Sequence, residues 1–319
     1  MNNFTSTLIP LKQCWICGCE YLHRWNEEIF DTQGLSDPIV CAYNKMSFWL
    51  NRCPECGFAQ PEGLPSEPDY FDRYYSYDRS SDCMELDYST PYKDFIFHTI
   101  VDKLSHFLPA HRRELLDVGT SVGRMLTVAK EAGWESEGIE LNPIVANFAA
   151  QRTDRSVHQM NAYKLAATGR RFDAVILTDV LEHIPNPVAI LKDLQKLLRP
   201  GGWIAVKVPY GLNQWRKEKI RTRLGKIPAP HIATNLGHIN HFSPNALEKS
   251  LTQSGFDSIE IEVGAPEYPP LDGSLPSLIS RGSRFLSYSL AQLPGGLNTP
   301  LAFNLQAYAR VCETEESRS

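Results

Sequence analysis

The sequence predicts an α/β protein in which a mostly parallel sheet with helices on both faces follows a small ribbon-like module rich in cysteine. Two observations support this prediction. From residue 113 onward, short apolar runs typical of buried strands alternate with helical patterns, an order that gives right-handed crossovers and a parallel sheet. Six of the eight cysteines lie between positions 14 and 56, which sets the first part of the chain apart.

These patterns divide the 319 residues into four segments. Residues 1–63 are expected to form the cysteine module. Residues 64–112 are expected to form a linker and a helical segment, because 61–70 are rich in proline and turn formers. Residues 113–311 are expected to form the sheet domain, and 312–319 a disordered polar tail.

Within the sheet domain, strands are expected where short apolar runs are bounded by turn-forming residues. The predicted strands are 114–118, 136–140, 157–159, 174–178, 203–208, 259–263 and 305–311, the last of them antiparallel. The predicted helices are 91–108, 123–132, 143–153, 187–198 and 244–254. Ser243 and Pro244 fit the N-cap and first position of the last of these helices.

Charge and hydropathy exclude several classes of protein. The formal net charge of -5 argues against a general nucleic-acid-binding protein, which usually shows a basic excess. No run approaches the roughly 18 apolar residues that cross a bilayer, and the N-terminus lacks the pattern of a secretory signal. We therefore expect a cytoplasmic protein with no membrane partner, whose cysteines are thiols or metal ligands rather than disulfides.

Two Cys-x-x-Cys pairs dominate the module. Their members are Cys14, Cys17, Cys53 and Cys56. The two-residue spacing lets both thiolates of a pair reach one ion, so two pairs complete a tetrahedral zinc site. A redox pair is the alternative, and the presence of two matched pairs disfavours it. Cys19 and Cys41 are expected to stand outside the site, although a local rearrangement would let Cys19 replace Cys17.

A tight turn follows the first strand of the sheet domain, in the segment LLDVGTSVG at 115–123. Gly119 permits the turn, and Gly123 permits close packing of the following helix. The next strand ends at Glu140, whose carboxylate can accept hydrogen bonds from both ribose hydroxyls of a nucleoside. The third strand ends before Asn161, which can bond adenine. Parallel strands bring these residues to one edge of the sheet.

A nicotinamide-dependent dehydrogenase is the alternative at this point, because it shares a glycine-rich turn and a distal acid. The fingerprint G-x-G-x-x-G is missing, however, and Asp117 lies two residues before Gly119. A carboxylate there suits a cationic ligand with an amino group better than a pyrophosphate. The pattern therefore disfavours a dinucleotide.

The segments LLDVGTSVG, GIELNP, RFDAVILTDVLEHIPNP and LRPGGWIAVKVP resemble the successive motifs of class I S-adenosylmethionine-dependent methyltransferases over 113–209, and GHINHFSP extends the match toward 244. This resemblance implies a Rossmann-like sheet of seven strands. It also implies that the cofactor's methionine part, ribose and adenine are contacted by Asp117, Gly119, Thr120, Ser121, Gly123, Glu140, Leu141, Asn161, Ala162 and Thr178. Asn161 stands where the family usually has Asp, and its amide keeps an acceptor oxygen.

Methyl transfer to a hydroxyl requires a general base, and three histidines are candidates. His183 follows the fourth strand, where the fold opens at the cofactor's sulfur, and its ordinary pKa is near neutrality. A structural role is the alternative for His183. His238 and His241 precede the helix at 244 and are expected to face the acceptor, either as bases or as substrate ligands.

Two further segments have two interpretations each. Tyr74, Tyr75 and Tyr77 are expected to form a lid over the cofactor, and simple packing between domains is the alternative. Residues 216–223 are locally basic. They fit either a phosphate-bearing substrate or a solvated charged surface.

The cysteine module resembles the four-cysteine zinc domain of bacterial methyltransferases that act on nucleotide-linked sugars and other secondary metabolites. We therefore expect a small-molecule acceptor: a sugar nucleotide, a glycan, or a natural-product hydroxyl or carbon. An RNA methyltransferase is the main alternative, since some ribosomal RNA enzymes begin with a zinc ribbon. Residues 1–60 contain few basic residues, which disfavours RNA. A non-catalytic protein that only binds the cofactor is the third hypothesis.

Overall fold

The computed structural model describes residues 6–31, 35–67, 69–75, 81–233, 237–268 and 270–312. Two expectations therefore lie outside the described residues, the lid position of Tyr77 and the disorder of the tail beyond Cys312. Within the described ranges, no helix is both long and apolar enough to cross a bilayer.

Short strands build the N-terminal part of the chain. Its elements are β1 (Leu8–Pro10), β2 (His23–Ile29), α1 (Pro38–Cys41), β3 (Ser47–Arg52), β4 (Ala59–Pro61) and β5 (Gly63–Pro65). β2, β3 and β4 form an antiparallel sheet, and β1 pairs with β5. β5 begins at the boundary that we expected at residue 63, so strand pairing continues into the segment predicted as a linker. Pro61 and Pro65 each end a strand, a position at which proline disrupts little pairing.

Three helices lead from this part to the large sheet. They are α2 (Tyr70–Tyr75), α3 (Ser81–Ser89) and α4 (Asp94–Phe107). α4 is the helix predicted over 91–108. Its Ile96, Ile100 and Leu104 recur every four residues and are completely buried, so the apolar spacing places one face of the helix against the sheet.

The rest of the chain forms the predicted seven-stranded α/β sheet. Its elements are β6 (Glu114–Val118), α5 (Arg124–Glu131), β7 (Glu135–Ile139), α6 (Pro143–Thr153), β8 (Val157–His158), α7 (Ala162–Ala166), β9 (Phe172–Thr178), α8 (Pro187–Lys196), β10 (Leu198–Pro209), α9 (Gly211–Arg223), α10 (Pro244–Gln253), β11 (Phe256–Val263), α11 (Leu275–Ala291) and β12 (Asn304–Val311). The strand order is β11-β12-β10-β9-β6-β7-β8. β12 runs antiparallel to both neighbours, as predicted, and the other pairs are parallel.

The predicted elements of the sheet domain are confirmed, with shifted ends. β6 has the predicted bounds, and the Ser243 hydroxyl caps α10 by accepting a hydrogen bond from the Ala246 N–H at 3.1 Å. The helix expected to end at 198 ends at Lys196, and Gly201 and Gly202 lie within β10 rather than before it. The register of β10 against β9 shifts between Leu198 and Trp203, which accommodates these glycines within the strand.

The N-terminal part packs directly on the sheet domain. Ala59 and His241 exchange backbone hydrogen bonds of 3.0 and 2.9 Å. The Ser243 hydroxyl donates to the Cys56 carbonyl, and the rings of Phe58 and Phe242 lie 5.2 Å apart. The segment GHINHFSP therefore joins the cysteine module to the large domain.

Candidate functional site

A cavity of about 440 Å³ opens where β6, β7 and β9 end. This volume lies within the range of small-ligand sites. Six of the predicted cofactor residues line this cavity: Gly119, Ser121, Glu140, Leu141, Asn161 and Ala162. A smaller cavity of about 80 Å³ shares Gly119 and Ser121 with it and adds Asp117, Thr120 and Thr178. The structure therefore brings nine of the ten predicted residues to two adjoining cavities.

The tenth residue, Gly123, acts through packing. Its φ of +84° is in the left-handed region that favours glycine, and it precedes the first turn of α5. A Cβ at this position would lie 2.7 Å from the Thr153 side chain of α6. Gly123 thus permits close helix packing behind the loop, the structural role predicted for it.

Glu140 holds the loop between β6 and α5 in place. One carboxylate oxygen accepts the Ser121 N–H at 3.0 Å, and the other accepts the Asn142 N–H at 3.0 Å. A carboxylate has about four acceptor positions, so each oxygen can still accept a hydrogen bond from a ligand. Ser121 has a φ of +49°, a conformation that places its N–H toward Glu140 at a cost in backbone strain.

Leu141 and Asn161 both line the larger cavity. Leu141 is 41% exposed although it is a large apolar side chain, so a flat ring bound in the cavity would cover it. The Asn161 side-chain oxygen accepts the Lys164 N–H at 3.3 Å and caps α7. The amide group at this position therefore has a local structural role as well as its predicted contact with adenine.

Asp117 is a buried acid at the end of β6. Burial raises the pKa of its carboxyl group to about 7, and the negative charge of Glu140 acts in the same direction. A cation bound nearby would stabilise the ionised form. This is the electrostatic arrangement expected around a ligand that carries an amino group.

Two lysines from distant parts of the chain neutralise Asp179, which follows β9. The Lys93 ammonium lies 2.9 Å from one carboxylate oxygen, and the buried Lys207 pairs with the other. Burial would raise the pKa of Asp179, but the two ammonium groups hold it well below its usual range. Asp179 also has a positive φ of 55°. The sequence analysis missed both lysines; a lysine within the apolar run WIAVKVP was the available signal for Lys207.

Glu182 is buried beside this network. Neither of its carboxylate oxygens has a hydrogen-bond partner among the described residues. Burial, together with the negative charge of Asp179, raises the pKa of Glu182 to about 8. The side chain is therefore mostly protonated at neutral pH, whereas Asp179 remains ionised.

His183 lines the larger cavity together with Glu140 and Asp179. Its Nδ1 contacts the Gly237 carbonyl, which can only accept, so Nδ1 carries the proton. The Tyr75 hydroxyl lies 2.8 Å from Nδ1 and 2.7 Å from the same carbonyl. Nε2 therefore has a lone pair and can accept a proton. Burial lowers the pKa of His183, so the neutral ring prevails at neutral pH.

The other two histidines occupy different environments. The rings of His238 and His183 lie 4.8 Å apart, edge to face, and burial lowers the pKa of His238 to about 3. His241 is 6% exposed and packs against Gly211 and Trp25 at the contact with the cysteine module. Burial lowers the pKa of His241 to about 4. The lining residues of the larger cavity include His183 but neither His238 nor His241.

The expected lid contributes to the cavity through α2. Phe71, Asp72 and Tyr75 line the cavity together with Leu141 and Asn161. Tyr74 instead packs against Tyr70 and Tyr75. The described part of the aromatic segment therefore combines both interpretations, a cavity wall and packing between the two parts of the chain.

The four cysteines of the two Cys-x-x-Cys pairs come together. Their Sγ atoms all lie within 4.8 Å of one another, with Cys14 to Cys56 at 3.6 Å and Cys17 to Cys53 at 3.4 Å. Four sulfurs at about 2.3 Å from a zinc ion would lie about 3.8 Å apart, so the cluster fits a tetrahedral zinc site. Cys19 and Cys41 bond backbone carbonyls instead.

Comparison with known proteins identifies the larger domain. Residues 92–261, just over half of the chain, match a family model described as a methyltransferase domain. The match includes the cavity-lining positions of β6, β7 and β9 but excludes the cysteine module. A solved structure of a SAM-dependent methyltransferase from Archaeoglobus fulgidus shares 18% identity, with 67% of this chain and 94% of that chain covered and a TM-score of 0.42.

Two curated relatives carry the same name. A ubiquinone biosynthesis O-methyltransferase of Cereibacter sphaeroides is 30% identical over 141 residues, which are 36% of this chain and 57% of that protein. Its counterpart in Roseobacter denitrificans is 28% identical over 156 residues, covering 46% of this chain and 60% of that protein. The chain thus spans less than two thirds of the length of these relatives.

Proposed function

The chain belongs to the methyltransferase domain family, and on that premise we propose that it uses S-adenosylmethionine to methylate a hydroxyl group of a small-molecule acceptor, with His183 as general base. The observation that carries this proposal is the placement of His183. Its Nε2 lacks a proton, and its side chain lines the cavity that also contains Glu140 and Asn161. The O-methyltransferase names of the relatives agree with a hydroxyl acceptor.

The cofactor supplies an electrophilic methyl group on a sulfonium. With the cofactor bound, Glu140 would accept hydrogen bonds from the ribose hydroxyls, Leu141 would cover the adenine, and Asp117 would bind the amino group of the methionine part. Because this acid is buried, its interaction with a cation is weakly screened. His183 removes the hydroxyl proton from the acceptor, and Gly237 and Tyr75 keep its ring in the required tautomer and orientation.

We expect the acceptor to be a sugar nucleotide, a glycan or a natural-product alcohol. The RNA alternative receives no specific support, because the basic residues of the cysteine module are few and one of them, Arg24, lies over the Trp49 ring. We further propose that Cys14, Cys17, Cys53 and Cys56 bind one structural zinc ion. The non-catalytic alternative makes a distinct prediction, cofactor binding without turnover.

The direct test is a screen of metabolite extracts with isotope-labelled S-adenosylmethionine. We expect the full chain to add one labelled methyl group to a polar small molecule, detected by mass spectrometry. Labelling confined to RNA would refute the small-molecule acceptor. Cofactor binding by calorimetry with no labelled product from any extract would support the non-catalytic alternative.

Replacing Glu140 by alanine should weaken cofactor binding strongly. The substitution removes charged hydrogen bonds to the ribose and releases the Ser121 and Asn142 N–H groups that shape the loop. A loss of about 1.5–3 kcal/mol corresponds to a Kd roughly 10- to 150-fold higher, measured by calorimetry with S-adenosylhomocysteine. Glu135→Ala, at the other end of β7, is the matched control and should retain the wild-type Kd. An unchanged Kd for Glu140→Ala would refute the assigned role.

A further inference from the structure

α11 has its apolar side turned away from the protein. The side that faces the domain consists of Ser277, Ser280, Ser287, Tyr288 and Ala291, which are half-buried or buried. Large apolar side chains occupy the opposite side and the flanking turns, each 45–68% exposed: Leu271, Leu275, Leu278, Ile279, Phe285, Leu286, Leu290 and Leu293. This orientation is the reverse of an ordinary surface helix.

The exposed face is large enough to require a partner. Half-exposed side chains of this size present roughly 600 Å² of apolar surface in total, an extent that on soluble proteins marks an interaction site. The helix has 17 residues and is therefore about 26 Å long. Its only charged residues are Arg281 and Arg284, and no Asp or Glu occurs anywhere between 273 and 312.

α9 adds a dense positive charge. From Arg216 to Lys226 the chain contains six basic residues and one acid, Glu218, which already pairs with Arg221. Ile220 and Leu224 lie one turn apart among these basic residues and are 56% and 65% exposed. These residues include the locally basic segment 216–223, for which the sequence allows either a phosphate-bearing ligand or a solvated surface.

The two helices lie at the same edge of the sheet. β10 and β11 both run antiparallel to β12, so their carboxyl ends, from which α9 and the segment leading to α11 emerge, point the same way. Tyr288 and Ala291 of α11 belong to the same apolar cluster as Tyr210, the residue before α9, so the two helices are neighbours. His183 and the larger cavity lie at this same edge.

We propose that α9 and α11 form a docking surface for an anionic phospholipid bilayer. The apolar side of α11 would enter the boundary between headgroups and acyl chains, and the basic residues of α9 would contact lipid phosphates. Stable peripheral binding requires two such signals, an apolar insertion and a polybasic patch. Surface binding of this kind needs no spanning helix, so the proposal replaces the expectation of no membrane partner, which depended on the absence of an apolar run long enough to cross a bilayer.

The combination of basic and apolar surface favours an anionic bilayer over a second copy of this chain or a nucleic acid. A second copy of this chain would place two basic α9 segments near each other with little negative charge to offset them. Nucleic acid would satisfy the basic residues but leave the apolar side of α11 in water. An anionic bilayer complements both features at once. Docking in this way turns the edge of the sheet that bears His183 toward the membrane.

Vesicle co-sedimentation with the full chain tests the proposal. The protein should bind vesicles of equal parts phosphatidylcholine and phosphatidylglycerol, and bind phosphatidylcholine alone more weakly. The double variant Ile279→Asp/Leu286→Asp should lower the partition constant more than about 100-fold. Arg221→Gln/Arg223→Gln should lower it roughly 25-fold at low salt, with the difference shrinking as salt is added.

Leu86→Asp is the matched control, because Leu86 is 65% exposed but lies on α3, beside α6. It should bind vesicles like the wild type. The proposal is overturned if the wild-type chain sediments with neither vesicle. It is also overturned if light scattering shows a dimer that Ile279→Asp/Leu286→Asp separates, or if RNA competes fully for the same surface. Cofactor affinity of each variant, measured by calorimetry, verifies folding independently of the lipid result.

Discussion

Replacing Cys53 by serine is expected to abolish zinc binding at the proposed site and to destabilise the whole chain, not only the cysteine module. Cys53 is fully buried and lies 3.4 Å from the Cys17 sulfur, so a hydroxyl would replace one of four thiolate ligands. Zinc in such sites contributes folding free energy, because the unfolded chain has no preformed site. Elemental analysis should show zinc falling from about one ion per chain to a small fraction.

The effect extends beyond the module because its core is continuous with that of the methyltransferase domain. Cys14, Cys53, Cys56 and Phe58 belong to the same buried cluster as the strands of the large sheet. Ser243 caps α10 and also donates to the Cys56 carbonyl. A loss of about 3–4 kcal/mol would lower Tm by on the order of 10 °C in a chain of this size.

Cys41→Ser is the matched control for this variant. Cys41 lies in the same module, but its thiol donates to the Leu35 carbonyl and is not part of the four-sulfur cluster. It should retain full zinc content and a Tm close to that of the wild type. If Cys53→Ser keeps a full complement of zinc, the proposed site is wrong. If both variants lose stability equally, the effect belongs to module packing rather than to metal.

The fold was largely predictable because local signals and tertiary structure agree. β6 and β9 are short, mostly apolar runs. The helices α6 and α10 are preceded by a capping Asn or Ser and then a proline, at Asn142 and Ser243. The sequence does not predict α11, whose apolar side chains face solvent, or α9, whose charged residues obscure its helical spacing. Neither helix buries the apolar face by which helices are usually recognised.

The candidate site was predictable only where the sequence encodes it locally. Glu140 and the 119–123 turn come from contiguous motifs, and the structure places them at one cavity. The pairing of Lys93 with Asp179 joins residues 86 positions apart, and no pattern in the chain indicates it. His241 is the opposite case, a residue that the sequence places at the site and the structure does not. It stands in a segment resembling the family motif, but its burial at the module contact gives it no face on the cavity.

Replacing His183 by asparagine should reduce methyl transfer by about 100- to 10,000-fold while leaving cofactor affinity unchanged. The asparagine amide can still donate to the Gly237 carbonyl, as the His183 Nδ1–H does, but it has no group that accepts a proton near neutral pH. The loss should therefore appear in kcat, measured with the acceptor identified by labelling. Calorimetry with S-adenosylhomocysteine should give the wild-type Kd.

His238→Asn provides the comparison within the same cluster. The His238 ring packs edge to face on His183. Its loss should let the His183 ring move and should lower kcat by roughly tenfold at most. A pKa of about 3 makes the His238 ring too weak a base to replace His183. If kcat falls further in His238→Asn than in His183→Asn, the general base is His238 and not His183.

The pH dependence of the reaction offers an independent test of His183. A general base acts in its neutral form, and burial lowers the pKa of His183 below the ordinary value of 6.5. With cofactor at saturation, which favours ionised Asp117, the midpoint of the acidic fall in kcat/KM for the acceptor should therefore lie below pH 6.5. Tyr75→Phe removes a hydroxyl 2.8 Å from Nδ1 and should lower kcat without changing cofactor affinity. A rate that already falls as the pH drops from 8 to 7 would instead indicate a base with a raised pKa, such as the buried Glu182.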